Sequence, residues 1–539
     1  MKKTVEKTAV FETVQKFQHS AFGEKYATIH MDEIEEKEML PMKLYAPLEA
    51  RAPDTVMICW DKFREGPCAV DYQVYVNERL FSTVTCTDET ITGLEPDTEY
   101  TLRVVVSENG SVLAKTEPVT VRTRPLGKVL DITAFGAVGD GKRVNTRAIQ
   151  QAIDDCPPGG TVYVPDGVYV TGALFLKSDM TLRLSDNATL LGSGDLRDYP
   201  VFSYRYEGRE APRFASLINM PMEVPGSHIE KPIWKNVTIR GGVINANGMA
   251  LIRQELDSSL GNRGSAVCLR NVDGLYLYDV TIRQAPFWCL NVIYSNHVTM
   301  NRVKIRNKFD EQGNRYQALY NGDGIDPDSC SDVAIVHSSI ESQDDCIAIK
   351  SGRNEEGRAV GVPSQRIRIT NCEFSYGFGA AVGSEMSGGV SDVLIQDCTF
   401  HQSFSLASVK NCRGRGSVIE RVMYENIRMV NTSTEHDMTK WFKGAIYVDQ
   451  FYGVDGASLE ACQQVSDDTP TIRDIAFRNI TFDTVRGYGV HLCGLPENPL
   501  RNIQLENVTG HAPHIIYEKN ADEIMMENVH ISHHADKNK

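Results

Sequence analysis

From residue 237 onward, the chain repeats one pattern of apolar and polar positions, apolar–x–apolar–x–x–apolar–x–apolar. Alternation with a period of two predicts short strands, and a unit of this size cannot bury its apolar face alone, so successive copies must stack. We therefore predict an all-β fold, a right-handed parallel β-helix of about ten coils over residues 126–539. The copies are LYLYDVTI (275–282), VTMNRVKI (298–305), VAIVHSSI (333–340), IRITNCEF (367–374), VLIQDCTF (393–400), VMYENIRM (422–429), IAFRNITF (475–482), IQLENVTG (503–510) and IMMENVHI (524–531).

The fifth position of the repeat is often asparagine. Stacking would make these asparagines neighbours at one turn of the helix, and we expect a ladder in which each side chain bonds the backbone of the next coil. A leucine-rich repeat or a β-propeller does not fit, because the chain has neither an LxxLxLxxN frame nor a WD-type blade. The asparagines are Asn371, Asn426, Asn479, Asn507 and Asn528.

Two segments precede the β-helix region. Residues 1–45 carry no clear pattern, whereas residues 46–125 alternate apolar and polar positions between turn residues, which predicts a small β-sandwich. This sandwich resembles a fibronectin type III module, because Trp60 lies on an early strand and Leu94 precedes Tyr100 by six residues in GLEPDTEYTLRV, as in that family's tyrosine corner.

One helix is predicted at the start of the β-helix region. The stretch TRAIQQAIDDC has helical character, Asn145 can cap it, and Pro157 and Pro158 end it. Short strands separated by glycine turns follow.

Charge and cysteine content narrow the function classes. A net charge of −15 leaves no basic excess for nucleic acid, and an acidic substrate would need a locally basic cleft. We also expect no membrane partner, since no apolar run approaches the roughly 18 residues of a membrane span, and no secretory signal. The 13 cysteines lack a CxxC pair, and several lie in apolar runs, which predicts reduced thiols in a cytoplasmic protein. Those in apolar runs include Cys289, Cys346, Cys372 and Cys398.

Three acids stand out in NGDGIDPDSC and SQDDCIAIKSG. Aligning DGI (323–325) with DCI (345–347) gives a spacing of 22 residues, or one coil, so Asp323 and Asp345 should stack about 4.8 Å apart with Asp344 beside them. Carboxyl groups this close cannot all ionise freely, so at least one pKa should rise, and such a group can serve as general acid while its neighbours act as base. A carboxylate pair with room for a water is typical of inverting glycosidases. A calcium-binding turn or solvated turn residues are the alternatives.

Residues 129–531 resemble glycoside hydrolase family 28, the polygalacturonase family. NGDGIDPDSC is similar to its NTDGID motif, SQDDCIAIKSG to its DD motif, GFGAAVGSEMSGGVSDV to its GHG region, and SVKNCRGRGSVIERV to its RIK region. The resemblance implies that Asp344 is the general acid, that Asp323 and Asp345 activate the attacking water, that the anomeric centre is inverted, and that no metal or cofactor is needed.

The resemblance also implies a set of substrate contacts. Lys410 matches the lysine of RIK and would bind a substrate carboxylate, although a solvated surface lysine is the alternative. Arg413 and Arg415 could add carboxylate contacts or pair with Glu420 or Glu425. Asn321 and Glu385 lie within the matched motifs and complete the candidates.

Two positions depart from the family pattern. Phe378 replaces the histidine of GHG and Ser408 replaces the arginine of RIK. The alignment of AAVGS with IAIKS places Phe378 in file with Asp345, so we expect its ring to face the cleft and to stack on a sugar or block a subsite.

Two inserts, residues 307–320 and 352–365, flank the acids and could close one end of a groove. They favour an exo-acting hydrolase that removes galacturonic acid from pectic oligosaccharides. The alternatives are a hydrolase of rhamnogalacturonan fragments or another pectin-derived glycoside, a non-catalytic carbohydrate-binding β-helix, and a β-eliminating lyase. The oligomeric state is not readable from these patterns.

Overall fold

The computed structural model describes residues 42–64, 70–108, 111–221, 232–435, 438–454 and 458–533. Most of the unassigned segment 1–45 therefore lies outside the described residues. The chain divides into two compact units between Lys128 and Val129, three residues beyond the boundary expected from sequence at 125/126. Among the described residues, no helix is long and apolar enough to cross a membrane.

The first unit is a small antiparallel sandwich of the kind predicted. Trp60 and Tyr72 pack in its core with ring centroids 5.6 Å apart, and the Tyr100 hydroxyl accepts a hydrogen bond from the Glu95 amide at 2.9 Å, which is the expected tyrosine corner. One sheet contains Leu44–Tyr45, Thr55–Trp60 and Asp88–Thr92, and the other contains Tyr72–Val76, Arg79–Val84, Glu99–Glu108, Ser111–Lys115 and Val119–Arg122.

The second unit is a right-handed parallel β-helix, which confirms the predicted fold. It has two long parallel sheets. The smaller one, which we call the site sheet, has eleven strands among the described residues, close to the expected ten coils. These strands are Leu174–Phe175, Ile218–Asn219, Val267–Arg270, Leu290–Ile293, Ile325–Asp328, Ile347–Ile349, Ala380–Val382, Ala407–Lys410, Gly444–Asp449, Tyr488–Cys493 and His514–Lys519.

The larger sheet carries the sequence repeat. The first positions of the nine repeat copies pair with one another in one continuous file, from Leu275 to Ile524, so the repeat is the coil of the helix. The 21 strands of this sheet that the structure describes are Val129–Asp131, Asp140–Val144, Gly160–Val164, Gly167–Thr171, Met180–Leu184, Ala188–Gly192, Trp234–Arg240, Val243–Asn245, Val272–Tyr278, Thr281–Arg283, Asn296–Asn301, Lys304–Arg306, Ser331–Val336, Ser339–Ser342, Ser364–Thr370, Glu373–Tyr376, Val390–His401, Val418–Asn431, Thr471–Thr484, Leu500–His511 and Ala521–Ser532.

The interior of the coils is a single apolar core. Alternation within each strand turns valine, isoleucine and leucine inward, and the cysteines singled out from the sequence lie among them as buried free thiols. All twelve cysteines in the described ranges are free.

The asparagine ladder exists, but it runs between side chains and not to the backbone as predicted. Asn479 donates to the Oδ1 of Asn426 at 2.9 Å, Asn507 donates to Asn479 at 2.9 Å, and Asn528 donates to Asn507 at 3.0 Å. Each of these residues has a positive φ of 54° or 55°, so the same left-handed turn recurs on every coil and places one amide directly over the next. Asp397 extends the ladder by accepting from Asn426 at 3.1 Å.

In the described part of the second unit, three α-helices and one hairpin interrupt the coils. Helix α1, Thr146–Asp154, confirms the predicted helix, but the Asn145 side chain makes no cap and instead accepts from the Val138 amide at 2.8 Å. Helix α2 is Gly248–Asp257, and helix α3, Asn354–Val360, lies in an insert read from the sequence as a loop. The hairpin pairs Val201–Tyr206 with Arg209–Phe214, and 3₁₀ turns occur at Ile132–Phe135 and Leu196–Asp198.

Replacing Asn479 tests how much the ladder stabilises the fold. The variant Asn479→Ala loses two amide hydrogen bonds and leaves in the left-handed turn an alanine, which adopts that conformation less readily than asparagine, so we expect the free energy of unfolding to fall by about 2 kcal/mol. Asn479→Gly is the matched control, because glycine adopts this turn without strain and should lose less. Urea unfolding followed by circular dichroism measures both; an alanine variant as stable as the wild type contradicts the prediction.

Candidate active site

The register of the site sheet brings the predicted acids together. Ile325 pairs with Ile347, and the Gly324 amide donates to the Asp345 carbonyl at 2.9 Å, so Asp323 and Asp345 stack on adjacent coils as predicted. Gly324 must lack a side chain, because a β-carbon there would lie 2.4 Å from the Cys346 carbonyl oxygen.

The three carboxyl groups form one cluster. One oxygen from each of Asp323, Asp344 and Asp345 lies within 4.8 Å of the others. Asp323 and Asp345 are buried, whereas Asp344 is half-buried and its Oδ1 accepts from the Asp345 amide at 3.0 Å. The oxygens are closer than the roughly 6.5–9.5 Å between carboxyl groups of most inverting glycosidases. The separation of these oxygens is therefore smaller than the expected gap that holds a water molecule. It does not by itself determine whether the reaction inverts or retains the anomeric centre.

Burial raises several pKa values, as the sequence led us to expect. The pKa of Asp323 lies well above its usual range because of burial and the charges of Asp326 and Asp344. Burial also raises the pKa of Asp345 to about 6, against the opposing charge of Lys410. The raised pKa values thus belong to the two candidate bases, whereas the sequence led us to expect one at the general acid. Closely interacting carboxyl groups share their protons, so the cluster titrates as a unit.

Lys350 and Asp326 were not singled out from the sequence, although both belong to the site. The Lys350 Nζ lies 3.5 Å from Asp323 Oδ2, 3.7 Å from Asp326 Oδ1 and 3.2 Å from Glu385 Oε2, and it sits 4.5 Å from the centre of the Trp288 ring. Burial raises the pKa of Asp326 to about 8. The alternation of side chains along the strand could have identified Lys350 from the sequence. Ile347 and Ile349 point inward, so Lys350 points outward, toward the acids.

Lys410 neutralises a catalytic candidate directly. Its Nζ donates to Asp345 Oδ2 at 2.6 Å, and the rings of Tyr452 and Phe442 lie 4.8 Å and 5.2 Å from it. The side chain is 1% exposed, so the alternative of a solvated surface lysine is wrong. A substrate carboxylate would have to share this ammonium with Asp345.

Glu385 and Arg415 extend the charge network beyond Lys350. Burial opposes ionisation of Glu385, but Lys350 and then Arg415 outweigh it and lower its pKa to about 2. The Arg415 Nη2 lies 3.6 Å from Glu385 Oε1, and its Nε donates to the Ser384 carbonyl at 2.7 Å. Arg415 therefore reaches the acids through Glu385, and it does not pair with Glu420 or Glu425.

Two other candidates have partners of their own. Arg413 binds Glu497 through Nε at 2.6 Å and Nη2 at 2.8 Å, so it forms a salt bridge, as the alternative interpretation held, but to a different glutamate. These contacts do not support Arg413 as a substrate ligand. Asn321, two residues before Asp323, accepts a hydrogen bond from the Arg263 guanidinium at 2.9 Å, which fixes the orientation of its side-chain amide.

The two departures from the family pattern are both buried. Phe378 stands in file with Asp345, as predicted, but it stacks on Phe442 and contacts Phe404, so the ring belongs to an aromatic cluster and is only 7% exposed. Ser408 is fully buried and donates to the Phe378 carbonyl at 3.4 Å. The packed ring does not offer an open stacking face for a sugar, whereas the other expectation, a ring that blocks a subsite, agrees with an aromatic cluster that fills this space.

The inserts are held around the site by polar contacts. On one side, Lys308 donates to Glu435 at 2.6 Å, which ties insert 307–320 to the segment that carries Phe442. On the other side, the hairpin contacts helix α3 where the Glu210 amide donates to Glu356 Oε1 at 2.7 Å, and the Arg353 amide donates to the Gly208 carbonyl at 2.9 Å. Both predicted inserts thus lie beside the acids as packed walls.

Comparisons with known proteins identify the family of the chain. The family model "Glycosyl hydrolases family 28" matches residues 222–532, and "Rhamnogalacturonase A/epimerase, pectate lyase-like" matches residues 129–209. The chain is 29% identical to an exo-poly-alpha-D-galacturonosidase of Dickeya chrysanthemi, over 73% of this chain and 75% of that protein. It is 30% identical to a probable polygalacturonase of Vitis vinifera, over 70% of this chain and 73% of that protein. The fold matches a family 28 exopolygalacturonase of Yersinia enterocolitica with a TM-score of 0.76 and 22% identity, over 92% of this chain and 98% of that one.

The buried Asp326 carboxyl should make stability depend on pH. Its folded pKa of about 8 exceeds the value of about 4 for an exposed aspartate, so the folded state binds the proton more tightly and loses stability as pH rises from about 4 through about 8. Between about pH 5 and pH 9 the free energy of unfolding should fall in the wild type. In Asp326→Asn, which lacks this titrating group, we expect that fall to be smaller by at least about 1 kcal/mol. Urea unfolding at both pH values measures this. Exposed Asp522→Asn should follow the wild type, and parallel losses in all three proteins would contradict the prediction.

Proposed function

Because this chain is a member of glycosyl hydrolases family 28, and is therefore a glycoside hydrolase, we propose that it removes galacturonic acid from one end of pectic oligosaccharides by an inverting, metal-free hydrolysis. The observation that carries the proposal is the clustered triad of Asp323, Asp344 and Asp345, with two lysines held against it. Binding of a sugar without catalysis would not require three carboxyl groups in register.

The three acids divide the chemistry according to their surroundings. Asp344 is the least buried of them and in this proposal protonates the leaving glycosidic oxygen. Asp323 and Asp345 accept the proton of the attacking water, and Lys350 and Lys410 favour their ionised forms, because a nearby cation lowers a carboxyl pKa.

A local concentration of cations supports an acidic sugar as substrate. The protein as a whole carries a charge of −15, yet Lys350, Lys410 and Arg415 all lie buried around the triad. A uronate carboxylate would meet these groups inside the cleft, where water screens charge least. Lys410 is the foremost candidate for this contact, since it stands between Asp345 and two aromatic rings.

The packed walls support action from a chain end. The hairpin with helix α3 on one side, and insert 307–320 with the Phe442 segment on the other, are each fixed by buried or half-buried polar contacts. The relatives from Dickeya and Yersinia carry exo action in their names. A groove closed by such walls admits one end of a short oligosaccharide in preference to the middle of a polymer.

A rhamnogalacturonan fragment is the second candidate substrate. Phe378 and Ser408 remove a histidine and an arginine from the pattern that the sequence resembles, and the aromatic cluster occupies their side of the site. A less acidic sugar next to the cleaved bond would need fewer cationic contacts there.

Digestion of defined oligosaccharides tests substrate, mode and stereochemistry together. The substrate is an oligogalacturonate whose reducing end has been reduced to the alditol. We expect galacturonic acid to appear from the first turnover, while the remaining oligosaccharide becomes shorter by one sugar at a time. Proton NMR at early times should show the β-anomer released from an α-linkage. Release of only rhamnogalacturonan products would favour the second candidate; an initial α-anomer would refute inversion.

The variant Asp344→Asn serves as the inactive counterpart in that assay. It should lose turnover by about 10³-fold or more while keeping its circular dichroism spectrum and its affinity for oligosaccharide, because only the transferable proton is removed. Exposed Asp522→Asn should retain full activity. Substantial turnover by Asp344→Asn would overturn the assignment of the acid.

Removing the Lys410 charge should move the pH profile. Without this cation the pKa of Asp345 rises, so the base is ionised only at higher pH, and the acidic limb of kcat/KM should shift upward by about 1 pH unit or more. Lys410→Gln measured from about pH 4 to pH 8 gives the shift, and Lys304→Gln, at an exposed ion pair with Asp279, should leave the limb in place. An unmoved limb in Lys410→Gln contradicts the role of the lysine.

A further inference from the structure

A second group of chemically distinctive side chains lies on the site sheet beyond Lys410. Strand Gly444–Asp449 pairs in parallel with strand Tyr488–Cys493, with Tyr447 opposite His491 and Asp449 opposite Cys493. Since residues two apart point to the same face, these four side chains form a square on the outer face of the sheet. The hydrolytic mechanism uses none of them.

The square holds nitrogen, oxygen and sulfur donors close together. One donor atom from each of Asp449, His491 and Cys493 lies within 4.8 Å of the other two, and the His491 Nε2 is 2.9 Å from Asp449 Oδ2. All three residues are at least nine-tenths buried. A tetrahedral zinc ion with bonds of about 2.0–2.3 Å requires donors at separations of this order.

A fourth donor faces the same place. Tyr447 is fully buried and lies opposite His491 on the same outer face of the sheet. A zinc ion held by three protein side chains has a fourth position to fill, and this hydroxyl lies on the face where that position would be.

We propose that Asp449, His491 and Cys493, with Tyr447 at the fourth corner, form a binding site for a divalent zinc-type cation that is separate from the hydrolytic triad. A thiolate and an imidazole favour zinc over magnesium or calcium, and a carboxylate is a common third ligand. Binding breaks the Cys493 S–H bond and releases its proton to solvent. The carboxylate and the thiolate then balance the two positive charges of the cation, so the buried complex is neutral.

The surroundings suit a structural cation. Phe451, Leu495, Leu459 and Tyr517 pack around Cys493, and the Tyr517 ring stacks on His491 with centroids 4.7 Å apart. An apolar shell excludes water and strengthens a metal–thiolate bond. Asp449 ends the strand that leads into the segment beginning with Gln450, so the cation would fasten that segment to the following coil. Because this coil lies next to Lys410 in the sheet, the cation would stabilise the wall beside the triad without joining the reaction.

Metal binding to the purified full-length chain tests the proposal. After dialysis against Zn²⁺ and then metal-free buffer, we expect about one equivalent of zinc by mass spectrometry. Exchange for Co²⁺ should give a thiolate-to-cobalt charge-transfer band in the near ultraviolet. Absence of retained zinc and of this band in the wild-type protein would refute the site, whatever the behaviour of any variant.

Two cysteine variants locate the cation. Cys493→Ser should lose the charge-transfer band and most of the bound zinc, whereas Cys462→Ser, at an exposed cysteine, should keep both. If Cys493→Ser retains zinc as the wild type does, the ion lies elsewhere, for example at the three aspartates, and the proposal fails. If that variant does not fold, His491→Gln with circular dichroism as the check on folding replaces it, and the wild-type cobalt spectrum still decides.

Discussion

Parallel register between neighbouring coils is the constraint on which this protein depends. The pairing of Ile325 with Ile347 sets the distance between Asp323 and Asp345, and the same file continues to Ala380, which fixes Phe378. A slip of one residue would turn alternate side chains to the other face, so apolar burial inside the coils holds the catalytic geometry outside them. The hydrolytic site therefore inherits its precision from the core, and the left-handed asparagine turns keep the register from coil to coil.

The sequence allowed the fold and the triad to be predicted for one shared reason. A repeat with a fixed period reports stacking, and stacking converts a spacing of 22 residues into contact between Asp323 and Asp345. Contacts between residues that are not related by the repeat could not be predicted from the sequence. Glu497 lies 84 residues from Arg413, and nothing local to either residue indicated the pair. Asn145 illustrates the opposite failure, because a plausible local cap lost to hydrogen bonds with Val138 and its neighbours.

Insertions supply what the repeat cannot. A regular solenoid offers an open groove, so in the proposed exo action selectivity for a chain end would come from segments that leave the coil. Here the hairpin Val201–Phe214 is anchored by Arg205, whose Nε lies 3.3 Å from Asp328 on the site sheet, with both side chains fully buried. The wall and the strand that carries the acids thus share one ion pair. Changes in the insertions can alter which oligosaccharide enters while the triad on the coils stays in place.

Charge balance links this architecture to the chemistry. Five carboxyl groups face three cations in a largely dry space, so full ionisation would leave two negative charges uncompensated. Burial raises the pKa values of Asp326 and Asp345, which opposes that full ionisation. A uronate that reaches Lys410 competes with Asp345 for the same ammonium and adds a further negative charge. Its arrival would therefore favour uptake of a proton by the cluster. In the proposed hydrolysis Asp344 gives a proton to the glycosidic oxygen and Asp323 or Asp345 takes one from the attacking water, so the cluster is left with the same number of protons. The carboxyl groups are Asp323, Asp326, Asp344, Asp345 and Glu385, and the cations are Lys350, Lys410 and Arg415.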